Sequence, residues 1–281
     1  MKYFLLLIIC SCLFSCGTDV VEESEGKPLN SQEVNSDNLD SINILDKKHA
    51  TIEKKKFDDG IVIEWYKKGD GEFLKKSDVV EIDYKVKLVD GQEVDGNYLR
   101  NMTSLPFIIG FGMQTPGWDL ALSQMRVGDF AKILIPSKLA RGEVGVKGLI
   151  PPNADNYLII RILEKVKPTR VVDGCKVWLL LENPSNKNLF GANKSIKMHA
   201  MVSTESNPFY INTYRENQPF TFNMNDFGVV PGLKKALVNS KKADRMYIVV
   251  PPSEAYGNKG YLDIVKPNES IFYNVFVMDV K

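Results

Sequence analysis

The sequence predicts an α+β fold, present as two tandem copies of one domain. Short runs rich in β-branched and aromatic residues are interrupted by Gly, Pro and Asn, which is typical of antiparallel strands. Each half of the chain contains one short amphipathic helix pattern, and landmarks of the first half recur about 110 residues later. We therefore expect each copy to be a twisted antiparallel sheet wrapped on a single short helix.

Residues 1–15 have the order of a bacterial signal peptide. Lys2 precedes an apolar run, Tyr3 to Phe14, which is shorter than the roughly 20 apolar residues that span a bilayer. The run ends in Leu13-Phe14-Ser15-Cys16-Gly17, which resembles a lipobox, the signal for lipid attachment to Cys16 and cleavage before it. A plain secretory signal cut nearby is the alternative. Because Gly17 rather than Asp follows the cysteine, resemblance to lipoprotein sorting rules favours the outer membrane, with the periplasmic or surface side left open.

Residues 16–46 are predicted to form a flexible tether between the lipid and the folded part. Acidic residues are numerous, Lys27 is the single basic residue, and no aromatic residue is present. Such a segment has little apolar surface to bury and is expected to stay disordered. As a coil, about 30 residues would reach roughly 30 Å.

Composition excludes several classes of function. Removing residues 1–15 removes Lys2 and no acidic residue, which leaves 35 basic and 35 acidic residues, so nothing indicates nucleic-acid binding. The two histidines, His49 and His199, cannot supply a histidine metal site or a charge-relay triad. Cys175 is the one thiol left beyond the lipid site; its apolar surroundings predict a buried, inert residue rather than a reactive one. We expect no metal ion and no cofactor.

The stretch from Leu105 to Val166 contains the elements of one domain in order. Its helix pattern opens at Gly117-Trp118 and places Trp118, Ala121, Leu122 and Met125 on one face, which must be buried. Val127-Gly128-Asp129 then ends the helix. A strand is predicted over Phe130 to Ile135, followed by a Gly- and Pro-rich loop from Arg141 to Pro152 and a closing strand from Tyr157 to Leu163.

The second half repeats these landmarks with spacings kept within a few residues. We divide the chain into a first domain, 47–167, and a second domain, 168–281; the linker at Lys167-Pro168-Thr169 is short enough for the two to touch. The paired landmarks are Asp59-Gly60 with Asp173-Gly174, Pro106-Phe107 with Pro219-Phe220, Pro116-Gly117-Trp118 with Pro231-Gly232-Leu233, and Ile135-Pro136 with Val250-Pro251.

Several separate motifs carry a family resemblance across 62–166. They are Pro106-Phe107-x-x-Gly110, Pro116-Gly117-Trp118, Met125-x-Val127-Gly128, Ile135-Pro136 and Gly148-Leu149-Ile150-Pro151-Pro152-Asn153-Ala154. In this order they are similar to an FKBP-type peptidyl-prolyl cis-trans isomerase. The resemblance implies two FKBP-like domains and an activity that speeds rotation about X–Pro bonds.

Matching the first domain to the family motif, position by position, assigns a set of its residues to a pocket. Trp118 would form the floor and Thr115 the backbone N–H that donates to the substrate carbonyl. Ile150 would cover one side. At four positions the chain departs from the family, which usually has Phe, Phe, Val and Tyr. The remaining residues are the walls Phe107 and Leu158, the polar edge Tyr84 and Asp95, and the four departures Val94, Leu105, Gln114 and Arg141.

The second domain departs from the family in a complementary way. Ala200, Asn212 and Leu233 stand where the first domain has Tyr, Asp and the Trp floor, so the resemblance predicts activity mainly in the first domain. Six residues retain substrate-binding positions: Phe220, Phe222, Val229, Val230, Tyr256 and Tyr273. In both domains core packing is the alternative role of the aromatic residues.

The resulting hypothesis is a peptidyl-prolyl isomerase that assists the folding of exported envelope proteins. Its partners would be proline-containing polypeptide clients and, through Cys16, a membrane. The alternative is a non-catalytic chaperone or binding module of the envelope that keeps the fold; tandem bacterial lipoproteins of this kind also resemble envelope proteins linked to gliding motility.

Overall fold

A computed structural model describes residues 44–281. This part of the chain forms two seven-stranded sheets, and each domain has one short α-helix. The α+β class and the tandem arrangement are therefore confirmed. Cys16 and most of the predicted tether lie outside the described residues. Within 44–281, none of the helices has the length and apolar character needed to cross a membrane.

The two sheets have the same strand order, displaced by one domain. In the first the order is β1-β2-β6-β7-β3-β4, with β5 paired to β3; in the second it is β8-β9-β13-β14-β10-β11, with β12 paired to β10. The elements of the first domain are β1 (Glu53–Lys56), β2 (Val62–Lys67), β3 (Val79–Leu88), β4 (Glu93–Gly96), β5 (Leu105–Ile108), α1 (Pro116–Leu122), β6 (Phe130–Ile135) and β7 (Asn156–Val166). Those of the second are β8 (Arg170–Val172), β9 (Cys175–Leu181), β10 (Ser195–Thr204), β11 (Ile211–Asn212), β12 (Phe220–Asn223), α2 (Pro231–Leu237), β13 (Arg245–Val250) and β14 (Ile271–Val280). Short 3-10 helices cover Tyr98–Arg100, Ser137–Leu139 and Pro252–Glu254.

Helix α1 is shorter than its amphipathic pattern. It begins with Pro116 at its first position, where a missing N–H costs nothing, and it ends at Leu122. The next residues continue as tight turns, in which the N–H of Gln124 donates to the carbonyl of Ala121 and that of Met125 to Leu122. Met125 is fully buried all the same, so the apolar face extends beyond the α-helical hydrogen bonds.

The Asp-Gly turns before β2 and β9 are equivalent in the two domains. Gly60 and Gly174 have φ angles of +95° and +81°, in the left-handed region that favours glycine. A Cβ added at Gly60 would lie 3.2 Å from Pro136, and one added at Gly174 would lie 3.4 Å from Pro251. Each turn thus packs on the proline that follows the strand next to it, which accounts for the pairing of these landmarks.

Residues 44–46, assigned to the tether from their composition, belong to the folded part instead. They are helical, and Leu45 is 4% exposed in a cluster with Phe130 and Ile159. His49 follows and packs edge-on against Phe130, with ring centroids 4.7 Å apart. The folded part therefore begins before the predicted boundary at residue 47. The boundary was predicted from the average composition of a long acidic segment, in which the two apolar residues Ile44 and Leu45 carried little weight.

A buried lysine holds the same segment by charge. The side chain of Lys85 is 1% exposed, and its Nζ lies 2.6 Å from a carboxylate oxygen of Asp46 and 3.2 Å from one of Glu93. Burial alone would raise the pKa of Asp46, but hydrogen bonds from Lys85 and Lys87 outweigh it, and the pKa is lowered below its ordinary value of 3.8. The charged form of Asp46 is therefore stabilised by the folded state.

The contacts divide the chain into two compact units whose limits differ from those of the sheets. One unit includes Asp83–Leu105 and Phe130–Arg161, together with the described residues up to Lys67. The other consists of Lys68–Ile82, Pro106–Asp129 and Ile162–Lys281. Most of β5 and all of α1 therefore belong to the same compact unit as the whole second sheet.

Replacing Asp46 by Asn tests the attachment of residues 44–46. Because the side chain of Asp46 is 40% exposed, we expect the free energy of unfolding to fall by only roughly 0.5–1 kcal/mol at pH 7. A lowered pKa gives stability that is present above 3.8 and lost as pH falls below it, so the difference between wild type and D46N should shrink towards pH 3. Urea unfolding at pH 7, 5 and 3 measures it. D58N, at an exposed acid of the same domain, is the control; a difference that stays constant with pH would contradict the attachment.

Candidate functional site

A hydrogen-bonded network in the first domain joins two of the predicted site residues through an arginine. Arg100 Nη1 donates to the hydroxyl of Tyr84 at 2.5 Å, and Nη2 donates to a carboxylate oxygen of Asp95 at 2.8 Å. Tyr84 is 1% exposed, and the ion-paired side chains are about one-fifth exposed. The arginine orients both partners, and its positive charge compensates that of the Asp95 carboxylate, which accepts the hydrogen bond.

Two further predicted residues form a buried aromatic pair. The rings of Phe107, on β5, and Trp118, on α1, are stacked with centroids 5.4 Å apart and planes 28° apart. The residues are 1% and 4% exposed. Thr115 precedes the helix and is also buried, with a hydroxyl that makes no hydrogen bond in the described part of the chain. The pair is therefore a closely packed apolar element, which is the chemistry that a floor and wall for a proline ring would require.

The other predicted residues of the first domain differ in exposure. Leu158 is fully buried, and Ile150 and Val94 are 7% and 9% exposed. Leu105, Gln114 and Arg141 are of intermediate exposure. Arg141 lies just after a 3-10 helix, in a turn closed by hydrogen bonds from Gly142 to Ser137 and from Gly145 to Arg141.

An apolar cavity of about 330 Å³ opens in the second domain. All six residues predicted to bind substrate there line it, and so does Leu233, which occupies the Trp118 position. With Leu233 at the position of the indole floor, the second domain thus has an open cavity. Its lining includes Phe220, Phe222, Val229, Val230, Tyr256 and Tyr273, with Val202, Tyr210, Ile211, Tyr261, Ile264 and Val265.

Tyrosine hydroxyls are the main polar groups of this cavity. Burial raises the pKa of Tyr256, Tyr210 and Tyr273 above the ordinary phenol value, so these side chains stay neutral at physiological pH. The rings of Tyr256 and Tyr261 are stacked with centroids 4.7 Å apart. The cavity can therefore accept apolar groups and donate hydrogen bonds, and among the described residues no charged side chain suited to acid–base chemistry lines it.

The comparisons with known proteins agree on one family. The model of the FKBP-type peptidyl-prolyl cis-trans isomerase family matches residues 70–163 and 188–278, more than half of the chain. The chain belongs to this family. The human peptidyl-prolyl cis-trans isomerase FKBP10 is 26% identical over 207 residues, which cover 74% of this chain and 35% of that protein. The FKBP-type isomerase FkpA of Escherichia coli is 37% identical over 114 residues, 41% of this chain and 40% of that protein, and the Buchnera aphidicola FkpA is 38% identical over 105 residues, 37% of this chain and 40% of that protein. The chain thus spans about a third of the length of the human relative.

Sequence reasoning missed several residues of these FKBP domains. Arg100 follows Asp95 by five residues and is the only basic residue between β4 and β5, a signal that could have suggested a partner for the acid. Val265 was not identified from the sequence as a cavity residue. Its isolated bridge with Tyr261 corresponds to that between Val146 and Ile150, so it stands at the position of Ile150.

The cysteine and the strand histidine of the second FKBP domain have structural roles. Cys175 is fully buried, which confirms the predicted inert thiol, and burial raises its pKa to about 11. His199 is half-buried on β10 and stacks on Tyr214 with ring centroids 4.4 Å apart. Burial lowers the pKa of His199, so the ring is neutral at pH 7. Among residues 44–281 no group of His, Cys, Asp or Glu is arranged to hold a metal ion.

Replacing Arg100 by Leu tests the network in the first FKBP domain. The change leaves the Tyr84 hydroxyl and the Asp95 carboxylate without their shared donor, so we expect a loss of about 1–3 kcal/mol in the free energy of unfolding. A double-mutant cycle with Tyr84→Phe, followed by urea unfolding, should give a coupling of about 0.5 kcal/mol or more. Strictly additive effects would show that the arginine and the tyrosine do not act together.

Proposed function

We propose that this chain catalyses cis–trans isomerisation of X–Pro peptide bonds, mainly in its first domain. The stacked pair Phe107–Trp118 is the observation that supports this most directly. Rotation of the amide crosses a barrier of about 18–20 kcal/mol because the twisted bond loses its resonance. The planar bond is the more charge-separated form, so a dry apolar surface favours the twisted form relative to water. No nucleophile and no cofactor are needed.

The polar edge of the first-domain site would hold the substrate rather than react with it. By family resemblance, the backbone N–H of Thr115 donates to the carbonyl that precedes the proline, and Tyr84 and Asp95 face the ring. The Arg100 network fixes these two side chains in one arrangement, which lowers the entropy lost when a substrate binds. Arg141, where the family usually has Tyr, offers guanidinium donors in place of a hydroxyl.

We propose a binding role for the second domain, with slower isomerisation. Its cavity keeps Tyr256 and the aromatic wall Phe220, but Leu233 replaces the flat indole at the floor. A leucine buries a proline ring less completely and presents no rigid planar face to it. The cavity would therefore retain proline-containing segments of a client while the first domain acts on others.

We propose that the clients are exported proteins and that a lipid on Cys16 holds the chain at the cell envelope. Uncatalysed X–Pro isomerisation takes tens to hundreds of seconds, long enough to limit the folding of a secreted protein. The lipobox-like order Leu13-Phe14-Ser15-Cys16 supports the anchor, and the acidic segment after it would let the domains work clear of the membrane surface. Sorting to the outer membrane is part of the same proposal.

A substitution at the floor position of each domain tests whether catalysis takes place mainly in the first domain. Trp118→Leu copies the residue of the second domain and should lower kcat/KM for a short prolyl peptide by about tenfold or more. Leu233→Ala, at the matching position, should change it by less than about twofold. The assay uses the full-length chain in detergent, with unfolding curves to confirm that each variant is folded. Equal activity of W118L and wild type would refute catalysis in the first domain.

Removing the thiol of Cys16 tests the anchor. We expect Cys16→Ser to lose incorporation of labelled fatty acid and to move from the membrane fraction to the soluble fraction of cells, because one acyl chain and its diacylglyceryl partner supply the membrane affinity. Cys175→Ser, at a buried thiol, is the matched control and should stay with the membranes. Membrane association that persists in C16S would point to a different attachment.

A further inference from the structure

The strand and loop that carry the first-domain site are packed on the second sheet. Pro106–Asp129, which contains Phe107, Thr115 and Trp118, belongs to the compact unit that also contains Ile162–Lys281. A site segment that takes its support from a neighbouring sheet depends on that sheet for its geometry.

Alternation along β5 gives its two faces different partners. Phe107 is stacked on Trp118, whereas the next residue, Ile108, belongs to a separate buried cluster, as expected when successive side chains point to opposite sides of a strand. That cluster combines three first-domain residues with four from the second sheet: Val79, Ile108 and Phe111 with Trp178, Tyr247, Val249 and Phe272. Side chains of the second domain thus pack in one cluster with Ile108, the residue that follows the wall residue Phe107.

A hydrogen bond fixes the start of the same strand. The hydroxyl of Tyr247, on β13, donates to the carbonyl of Pro106 at 3.1 Å. Pro106 immediately precedes Phe107, so this bond holds the backbone of the site wall directly. The Tyr247 ring packs edge-on against Phe272, with centroids 5.3 Å apart, which in turn holds the tyrosine in place.

The loop between β5 and α1 is held at both ends. Asp119, on the helix, accepts hydrogen bonds of 2.8 Å from the N–H groups of Gly110 and Gly112. Between these two glycines Phe111 is fully buried, with its ring centroid 5.4 Å from that of Phe272. Gly112 lies so close to Pro208 that an added Cβ would clash with it.

Resting on the isomerase function proposed above, we propose that the second domain acts as a platform for the first-domain site. Tyr247 and Phe272 are positioning residues: they touch no substrate, but they hold β5 and the 109–115 loop in the arrangement that Phe107, Thr115 and Trp118 need. A chain in which the second domain has lost its own aromatic floor would still require that domain for the activity of the first.

The test uses the full-length chain in detergent and two variants of the platform. Tyr247→Phe removes only the hydroxyl, and we expect kcat/KM to fall about threefold; Phe272→Ala removes the ring under both Phe111 and Tyr247, and we expect about tenfold. Phe272→Leu should restore most of the activity. Tyr214→Phe is the matched control, since the Tyr214 hydroxyl is buried without a hydrogen-bond partner in the described part of the chain, and it should leave kcat/KM unchanged.

Two further readouts separate positioning from general destabilisation. In a Trp118→Leu background, Y247F and F272A should change the residual activity by less than about twofold, because the site that they position is already impaired. Hydrogen exchange of the backbone N–H groups within 106–114, which begin at Phe107, should be faster in Y247F and F272A than in wild type and unchanged in Y214F.

The outcomes distinguish this inference from the proposed function. If the wild-type chain fails to accelerate isomerisation, the proposed function falls, and the exchange measurement alone decides whether Tyr247 and Phe272 hold the segment. Full activity in both platform variants of an active chain would overturn the inference. So would unchanged exchange in 106–114, or an equal loss of activity in the Trp118→Leu background.

Discussion

Burial of one face of a very short helix is the constraint on which each domain depends. Helices α1 and α2 have seven residues each, well below the roughly 12–15 at which an isolated helix becomes even marginally stable in water. Packing must therefore supply their stability. In the second domain the second helical residue is Gly232, whose added Cβ would lie 2.5 Å from Val250 and 2.9 Å from Cys175. In the Pro-Gly pair, the proline is thus suited to begin the helix, and the glycine lets the helix approach the sheet closely.

From the same scaffold the two domains keep different parts of one site. The first retains the indole beneath Phe107 and the polar network centred on Arg100. The second retains Tyr256 and a cavity of about 330 Å³, while its helix presents Leu233. Because the scaffold depends on backbone geometry at the turns and on the Pro-Gly helix start, it tolerates these exchanges inside the pocket.

Most of the fold could be predicted because its signals are local. The strand predicted over Phe130 to Ile135 has those limits in the structure, since a Gly-Asp break precedes it and a proline follows it. The end of α1 was placed too late, because an apolar face continues through Met125 after the α-helical hydrogen bonds have stopped. Residues 44–46 were missed because the averaged composition of a long acidic tract outweighed two apolar residues.

The site was harder to predict where its parts meet through space. Tyr84 and Asp95 were identified from the family motif, but Arg100, which joins them, lies on a 3-10 helix that has no periodicity to mark it. The cavity residues Tyr210 and Tyr261 lie in loops. In a loop, the spacing of residues along the sequence does not predict the direction in which a side chain points. Contacts of the site segment with Tyr247 and Phe272, more than a hundred residues away along the chain, leave no local pattern at all.

The docking of residues 44–46 has a mechanical consequence. Any tension that reaches the folded part from its N-terminal side acts first on Leu45 in its pocket and on the carboxylate of Asp46 between Lys85 and Lys87. Strand β1, at the edge of the sheet, is loaded only after these contacts yield. Under such a load these contacts would therefore break before the hydrogen bonds of the sheet.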